Sequence, residues 1–176
     1  PSRIALLNKL MEMGGNIQVF NHSSFGKEPV ADLNIKSSVL NPCEVTSCDV
    51  PNLIDELPIL FIASCFAEGI SSFIEIEELK HKESDRLKAM QDGLDKMKIK
   101  NYLDGNVFCI EGMGKDYKSP NFLAETYYDH RIAMSFAIAG LNSNSYIEIA
   151  SPECINTSFP EFIELGKRLG CNFEIS

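Results

Sequence analysis

Lys82, Glu83 and Arg86 stand close together in ELKHKESDRLKAM (residues 78–90), between the strand-like run SFIEI and an amphipathic helical pattern. Ser84 reads as the cap of that helix and Asp85 as part of its first turn, which leaves Lys82 and Glu83 at the mouth and Arg86 one turn further in. A helix start offers unpaired N–H groups and a positive dipole end, so it suits an anion, and an Arg adds a planar fork for carboxylate or phosphate. A Glu held among cations can move a proton if its affinity for one is tuned. Spacing alone favours a plainer alternative, a solvated cap with surface ion pairs.

A second cluster, Asp129-His130-Arg131 in YYDHRIAM, also precedes a helical run. Asp129 can cap that helix. Arg131 in its first turn opposes the dipole, which an anionic ligand would explain and an exposed side chain would explain equally. Asp55, in NLIDELPIL, precedes an almost wholly apolar helix and reads as a cap or as a general base at a site rim. Thr157 and Ser158 precede Pro160 in CINTSFPEF, an N-cap signature. His22 lies in the turn-like NHSSFGKEP and reads as surface. Met90, Met97 and Met134 read as core.

These clusters sit in an internal repeat. DELPILFIASCFAEGISSFIEI, from Asp55, matches DHRIAMSFAIAGLNSNSYIEI, from Asp129: an Asp, an apolar helix, a Gly, then aromatic-Ile-Glu-Ile. A second helix follows each, with Leu87, Met90, Leu94 and Met97 on one apolar face and Phe159, Phe162, Ile163 and Leu169 on the other. LNKLMEMGGNIQVF resembles FIELGKRLGCNFEI in the same way, and further strands are expected at ADLNIKSS and NVFCIEG. Loops of about twenty residues before Asp55 and Asp129 exceed the usual length of a structural connection and read as functional. The expected fold is α+β, built of repeated βαβαββ units, two near-complete and one partial. Repetition can bring three polar helix starts around one axis.

Length and composition bound the rest. The 176 residues suffice for one domain with a core. A formal net charge of −9 argues against nucleic acid or an anionic membrane as the main partner, because both need a basic face. No apolar run is long enough to cross a bilayer, and residues 1–15 lack the pattern of a secretory signal. The six cysteines form no CxxC pair and read as reduced cytosolic thiols; with the three histidines far apart, no metal site is expected. The chain opens on Pro1, not Met, and its first repeat lacks a front helix and strand, so it reads as a piece of a longer protein.

The residues quoted carry a resemblance. LKHKESDRLKAM and YDHRIAMSFAIAGL, in this order, resemble the two signatures of the 5-enolpyruvylshikimate-3-phosphate synthase family. PNLIDELPILFIASCFAEG resembles that family's segment bearing an Asp base, and TSFPEF its C-terminal segment; the wording is nearest the bacterial branch called class II. The resemblance implies an enolpyruvyl transferase-like domain, with residues 1–176 forming most of the C-terminal domain of a two-domain enzyme. It implies transfer of the enolpyruvyl group of phosphoenolpyruvate to the 5-hydroxyl of shikimate 3-phosphate, a cytoplasmic step of aromatic amino acid biosynthesis. Asp55 would take the hydroxyl proton, and Glu83 would move a proton at the methylene carbon. Lys82 would hold shikimate 3-phosphate, while Arg86 and Arg131, with His130 beside them, would bind the phosphoenolpyruvate carboxylate. No metal or organic cofactor is implied, and the partner in cis is an N-terminal domain whose substrate-binding Lys, Ser and Arg are not in this sequence. Thr157 departs from a Lys that many members carry and leaves one cation unassigned. Two rivals remain: transfer to UDP-N-acetylglucosamine, which the signatures point away from, and a non-catalytic repeat domain that binds a small anion or a protein.

Overall fold

The computed structural model describes residues 4–142 and 146–174. A helix, α1 (Ala5–Glu12), leads into a hairpin of β1 (Asn16–Phe25) and β2 (Glu28–Lys36). A complete unit follows: β3 (Glu44–Val45), the short α2 (Val50–Leu53), α3 (Leu57–Cys65), β4 (Glu68–Ile74), α4 (Arg86–Lys96), β5 (Lys100–Asp104) and β6 (Val107–Met113). The last part runs β7 (Phe122–Ala124), α5 (His130–Gly140), β8 (Ile147–Ile149) and α6 (Phe162–Arg168).

The central sheet has the order β3-β4-β6-β5. β3 lies parallel to β4, with Val45 opposite Phe73, and the crossover between them carries α3. β4 and β5 both run antiparallel to β6. The pair β7–β8 is parallel too, and its crossover carries α5. α5 thus stands to β7–β8 as α3 stands to β3–β4, and α1 with its hairpin matches α4 with β5–β6. Residues 171–174 form no strand, contrary to the expectation for NFEI. Phe173 instead stacks on Phe162 at 5.6 Å between ring centroids.

The core is organised by α3. Leu57, Leu60, Phe61, Ile62 and Cys65 are buried, and such a helix must be covered on every side. Phe61 meets Phe73 of β4 at 4.6 Å and Phe108 of β6 at 5.1 Å, both edge to face. Leu87, Met90, Leu94 and Met97 are all buried along α4, as their spacing predicts. Two glycines permit the closest approaches. A Cβ on Gly93 would stand 1.9 Å from Cζ of Phe136, so α4 and α5 close only because it is absent. A Cβ on Gly112 would stand 2.2 Å from the Ser64 carbonyl, where β6 passes the end of α3.

Other readings of the elements differ from the structure, wholly or in part. The loops before Asp55 and Asp129 contain β3, α2 and β7, elements too short to show periodicity. His22 is exposed, as its surface reading expects, but lies within β1 and not in a turn, beside a register shift between Phe20 and Ser23 where Asn21 takes φ 53°. Thr157 and Ser158 cap nothing: Thr157 Oγ1 donates to the Cys154 carbonyl, in a 3-10 turn over Pro152–Thr157. Of the face expected on α6, Phe159, Phe162 and Ile163 are partly buried, while Leu169 is 76% exposed.

Candidate functional site

Three chain segments converge on Arg86. The cap of α4 is Asp85, which accepts from the Lys88 N–H at 2.9 Å, one residue later than Ser84 was expected to serve. Arg86 is therefore the first helical residue, and its side chain is 0% exposed. A guanidinium withdrawn from water needs polar partners, and each of its three nitrogens has a carboxylate. Nε donates to Asp129 at 2.8 Å, Nη1 to Asp55 at 3.1 Å and Nη2 to Glu83 at 2.5 Å.

Asp129 is fully buried and caps α5 as its position predicts. Its Oδ1 accepts from the Arg131 N–H at 2.9 Å; its Oδ2 accepts from Ser84 Oγ at 3.1 Å as well as from Arg86. Tyr127 and Tyr128 turn the chain into α5 with φ of 51° and 59°, while the Asp129 N–H bonds the Thr126 carbonyl. Two consecutive left-handed residues other than glycine are costly, on the order of 1 kcal/mol or more each. The packed Asp129 anchor holds them in place.

Asp55 does not cap α3, whose N-cap is Glu56 with no side-chain bond. Its carboxylate faces Arg86 and Lys82, the latter at 3.7 Å, while its carbonyl accepts from Arg131 Nη1 at 2.7 Å. Lys82 also bonds Glu78 at 2.7 Å, and Arg131 pairs with Glu56 at 3.5 Å. Partial burial pushes the Asp55 carboxyl up, but the charges of Arg131, Lys82 and Arg86 outweigh it and hold it below the ordinary carboxylate value. The hydrogen bond to Glu78 raises the Lys82 ammonium above its ordinary value.

The structure therefore brings Asp55, Lys82, Glu83, Arg86 and Arg131 into one group. His130 opens α5 beside them, partly buried, and makes no hydrogen bond to the group among the described residues. Sequence reasoning left out Asp129 as the partner of Arg86, Ser84 as its neighbour, and the carboxylates Glu56 and Glu78. The Glu78–Lys82 pair was findable from its i,i+4 spacing. The Arg86–Asp129 pair spans 43 residues, and no local pattern announces it. In this structure each nitrogen of the Arg86 guanidinium bonds one of the protein's own carboxylates. Among the described residues no helix is long and apolar enough to cross a membrane.

The arrangement of repeated β-α-β crossovers around polar helix starts is that of the enolpyruvyl transferase fold. The crystal structure of the enolpyruvyl transferase NikO from Streptomyces tendae superposes with a TM-score of 0.67 over 96% of this chain and 35% of its own, at 19% identity. The family model for EPSP synthase (3-phosphoshikimate 1-carboxyvinyltransferase) matches residues 2–165, and the chain belongs to that family. An EPSP synthase structure from Acinetobacter baumannii superposes with a TM-score of 0.93, at 41% identity, covering 100% of this chain and 41% of its own. A 3-phosphoshikimate 1-carboxyvinyltransferase of Zymomonas mobilis is 43% identical over 99% of this chain and 39% of its own length. One of Aquifex aeolicus is 42% identical over 93% of this chain and 38% of its own. The chain thus spans about two-fifths of the length of the curated relatives it matches.

Proposed function

We propose that this chain forms most of the C-terminal domain of a two-domain enzyme that transfers the enolpyruvyl group of phosphoenolpyruvate to the 5-hydroxyl of shikimate 3-phosphate and releases phosphate. The observation that carries the reading is the meeting of Asp55, Lys82, Glu83, Arg86 and Arg131 at three helix starts in a chain of the EPSP synthase family. The reaction joins the hydroxyl oxygen to the enol carbon, puts a proton on the methylene carbon, then expels phosphate as a proton leaves the resulting methyl. Two proton-accepting groups and an anion clamp meet those needs.

Asp55 takes the hydroxyl proton and Glu83 serves the methylene carbon. Lys82 holds shikimate 3-phosphate, and Arg86 and Arg131, with His130 beside them, hold the phosphoenolpyruvate carboxylate. Asp55 is a weak base while three cations face it. Bound phosphate and carboxylate groups neutralise those cations and return basicity to Asp55, so substrate binding itself readies the base. The rest of the polypeptide supplies further cations from an N-terminal domain in cis. The site asks for no metal or organic cofactor in this scheme, and for no nucleic-acid or membrane partner; the cytoplasm is the fitting compartment.

The test is phosphate release that depends on shikimate 3-phosphate. The protein that carries this chain should turn over, and its Glu83→Gln variant should lose turnover while still binding both substrates. Steady, acceptor-dependent release from residues 1–176 alone would refute the two-domain part, because positioning and charge stabilisation then need only one half. Turnover with UDP-N-acetylglucosamine in place of shikimate 3-phosphate would overturn the choice of acceptor.

A further inference from the structure

The anion site carries a surplus of negative charge. Around Lys82, Arg86 and Arg131 stand Asp55, Glu56, Glu78, Glu83 and Asp129, each within 4 Å of one of the cations. A ligand carboxylate cannot reach Arg86 as it stands, because Nε, Nη1 and Nη2 each already donate to a carboxylate and the side chain is 0% exposed.

The three carboxylates are not held equally. Asp129 is 0% exposed and is tied further by Ser84 and by the Arg131 N–H. The Asp55 side chain is 43% exposed but also faces Lys82, and its backbone carbonyl is engaged by Arg131. Glu83 is 53% exposed, and among the described residues its carboxylate bonds Arg86 Nη2 alone. Its backbone belongs to the short stretch between the 3-10 turn Glu77–His81 and the cap of α4, which no helical hydrogen-bond ladder fixes.

We infer that Glu83 is a built-in stand-in for the ligand: in the empty site its carboxylate occupies the place on Arg86 Nη2 that the substrate carboxylate takes, and binding proceeds by exchange of one carboxylate for the other. This rests on the proposed function and adds a gate to it. Any anion too weak to displace Glu83 is refused, so Nη2 of the buried Arg86 always keeps a carboxylate partner. The exchange also releases the Glu83 carboxylate from its ion pair at the moment a substrate arrives, which frees it to handle a proton.

The experiment is calorimetric titration of phosphoenolpyruvate into the protein as the cell makes it, with shikimate 3-phosphate left out so that no turnover occurs, for wild type, Glu83→Gln and Glu78→Gln. Oxalate serves as a second probe, a carboxylate ligand without an enol. Glu83→Gln keeps the shape and an accepting oxygen but drops the charge, so phosphoenolpyruvate and oxalate should both bind about tenfold more tightly or better. Glu78→Gln removes an equal charge from Lys82 and should change either affinity far less. Glu83 is half exposed, so melting of Glu83→Gln should match wild type; Glu83→Ala provides a second variant if it does not. Equal or weaker binding in both Glu83 variants overturns the gate, and leaves the enzyme reading standing if wild type binds phosphoenolpyruvate. An equal gain in Glu78→Gln also overturns it, since net charge alone would explain the effect. A gain for oxalate in proteins that never take phosphoenolpyruvate supports the gate and sinks the substrate assignment.

Discussion

The starts of α4 and α5 follow the same local rule and reach opposite ends. Each has an Asp cap accepting a backbone N–H, Asp85 from Lys88 and Asp129 from Arg131. Each places an Arg in the first turn, where the helix dipole disfavours a cation. Arg86 is sealed in the core with three carboxylates. Arg131 remains partly exposed, with one bond to the Asp55 carbonyl and a long pairing to Glu56. The caps contrast in reverse: Asp85 is exposed and Asp129 is buried. What separates the two is the neighbour each helix meets. Gly93 lets α5 press against α4, and that approach carries Asp129 onto the Arg86 side chain. One Arg is enclosed by carboxylates that a ligand has to displace, and the other is left partly exposed.

The most direct way to break this contrast is Asp129→Ala. It removes a cap and leaves a buried guanidinium short of a partner, so unfolding in urea should show a loss of about 3–5 kcal/mol. A loss no larger than that of an exposed cap would put the two helix starts on one footing. Gly93→Ala is next, at about 1–3 kcal/mol for overpacking against Phe136. Because it pushes α4 from α5, it should also weaken anion binding.

Much of this was legible in the sequence, for identifiable reasons. The α4 face, the all-round apolar α3 and the strands β4 and β6 follow from periodicity, and the Asp129 cap follows from local chemistry. The matched crossovers around α3 and α5 follow from self-similarity at Asp55 and Asp129. The two-residue β3 and the three-residue β7 are too short to carry an alternating pattern. The fate of Arg86 was hidden because burial of a charge is decided by partners distant in sequence. Asp55 and Asp129 lie 31 and 43 residues away, and only packing brings them to it. The shift of the α4 cap from Ser84 to Asp85 has the same cause: the Ser84 hydroxyl is drawn to Asp129.

Two smaller changes sharpen the contrast from the exposed side. Asp85→Ala should cost about 1 kcal/mol, the ordinary value of a cap, and leave anion affinity near wild type. Arg131→Gln should cost less in stability, because a partly exposed ion pair contributes about 1 kcal/mol at most. Its effect should appear in two other readouts. Anion affinity should fall clearly, since the Arg131 side chain is partly exposed where that of Arg86 is not. The acid limb of the stability profile should also move. Arg131 is the strongest of the charges that hold the Asp55 carboxyl below its ordinary value against the opposing push of burial. A depressed carboxyl contributes stability above the ordinary carboxylate range and loses it as pH falls through the folded value. With Arg131 gone the folded value rises toward the ordinary one. The stability that Asp55 contributes at neutral pH shrinks, and what remains is lost at a higher pH than in wild type. Chemical denaturation at a series of pH values reads both changes at once. An unmoved acid limb would show that Lys82 and Arg86 suffice to hold Asp55 ionised.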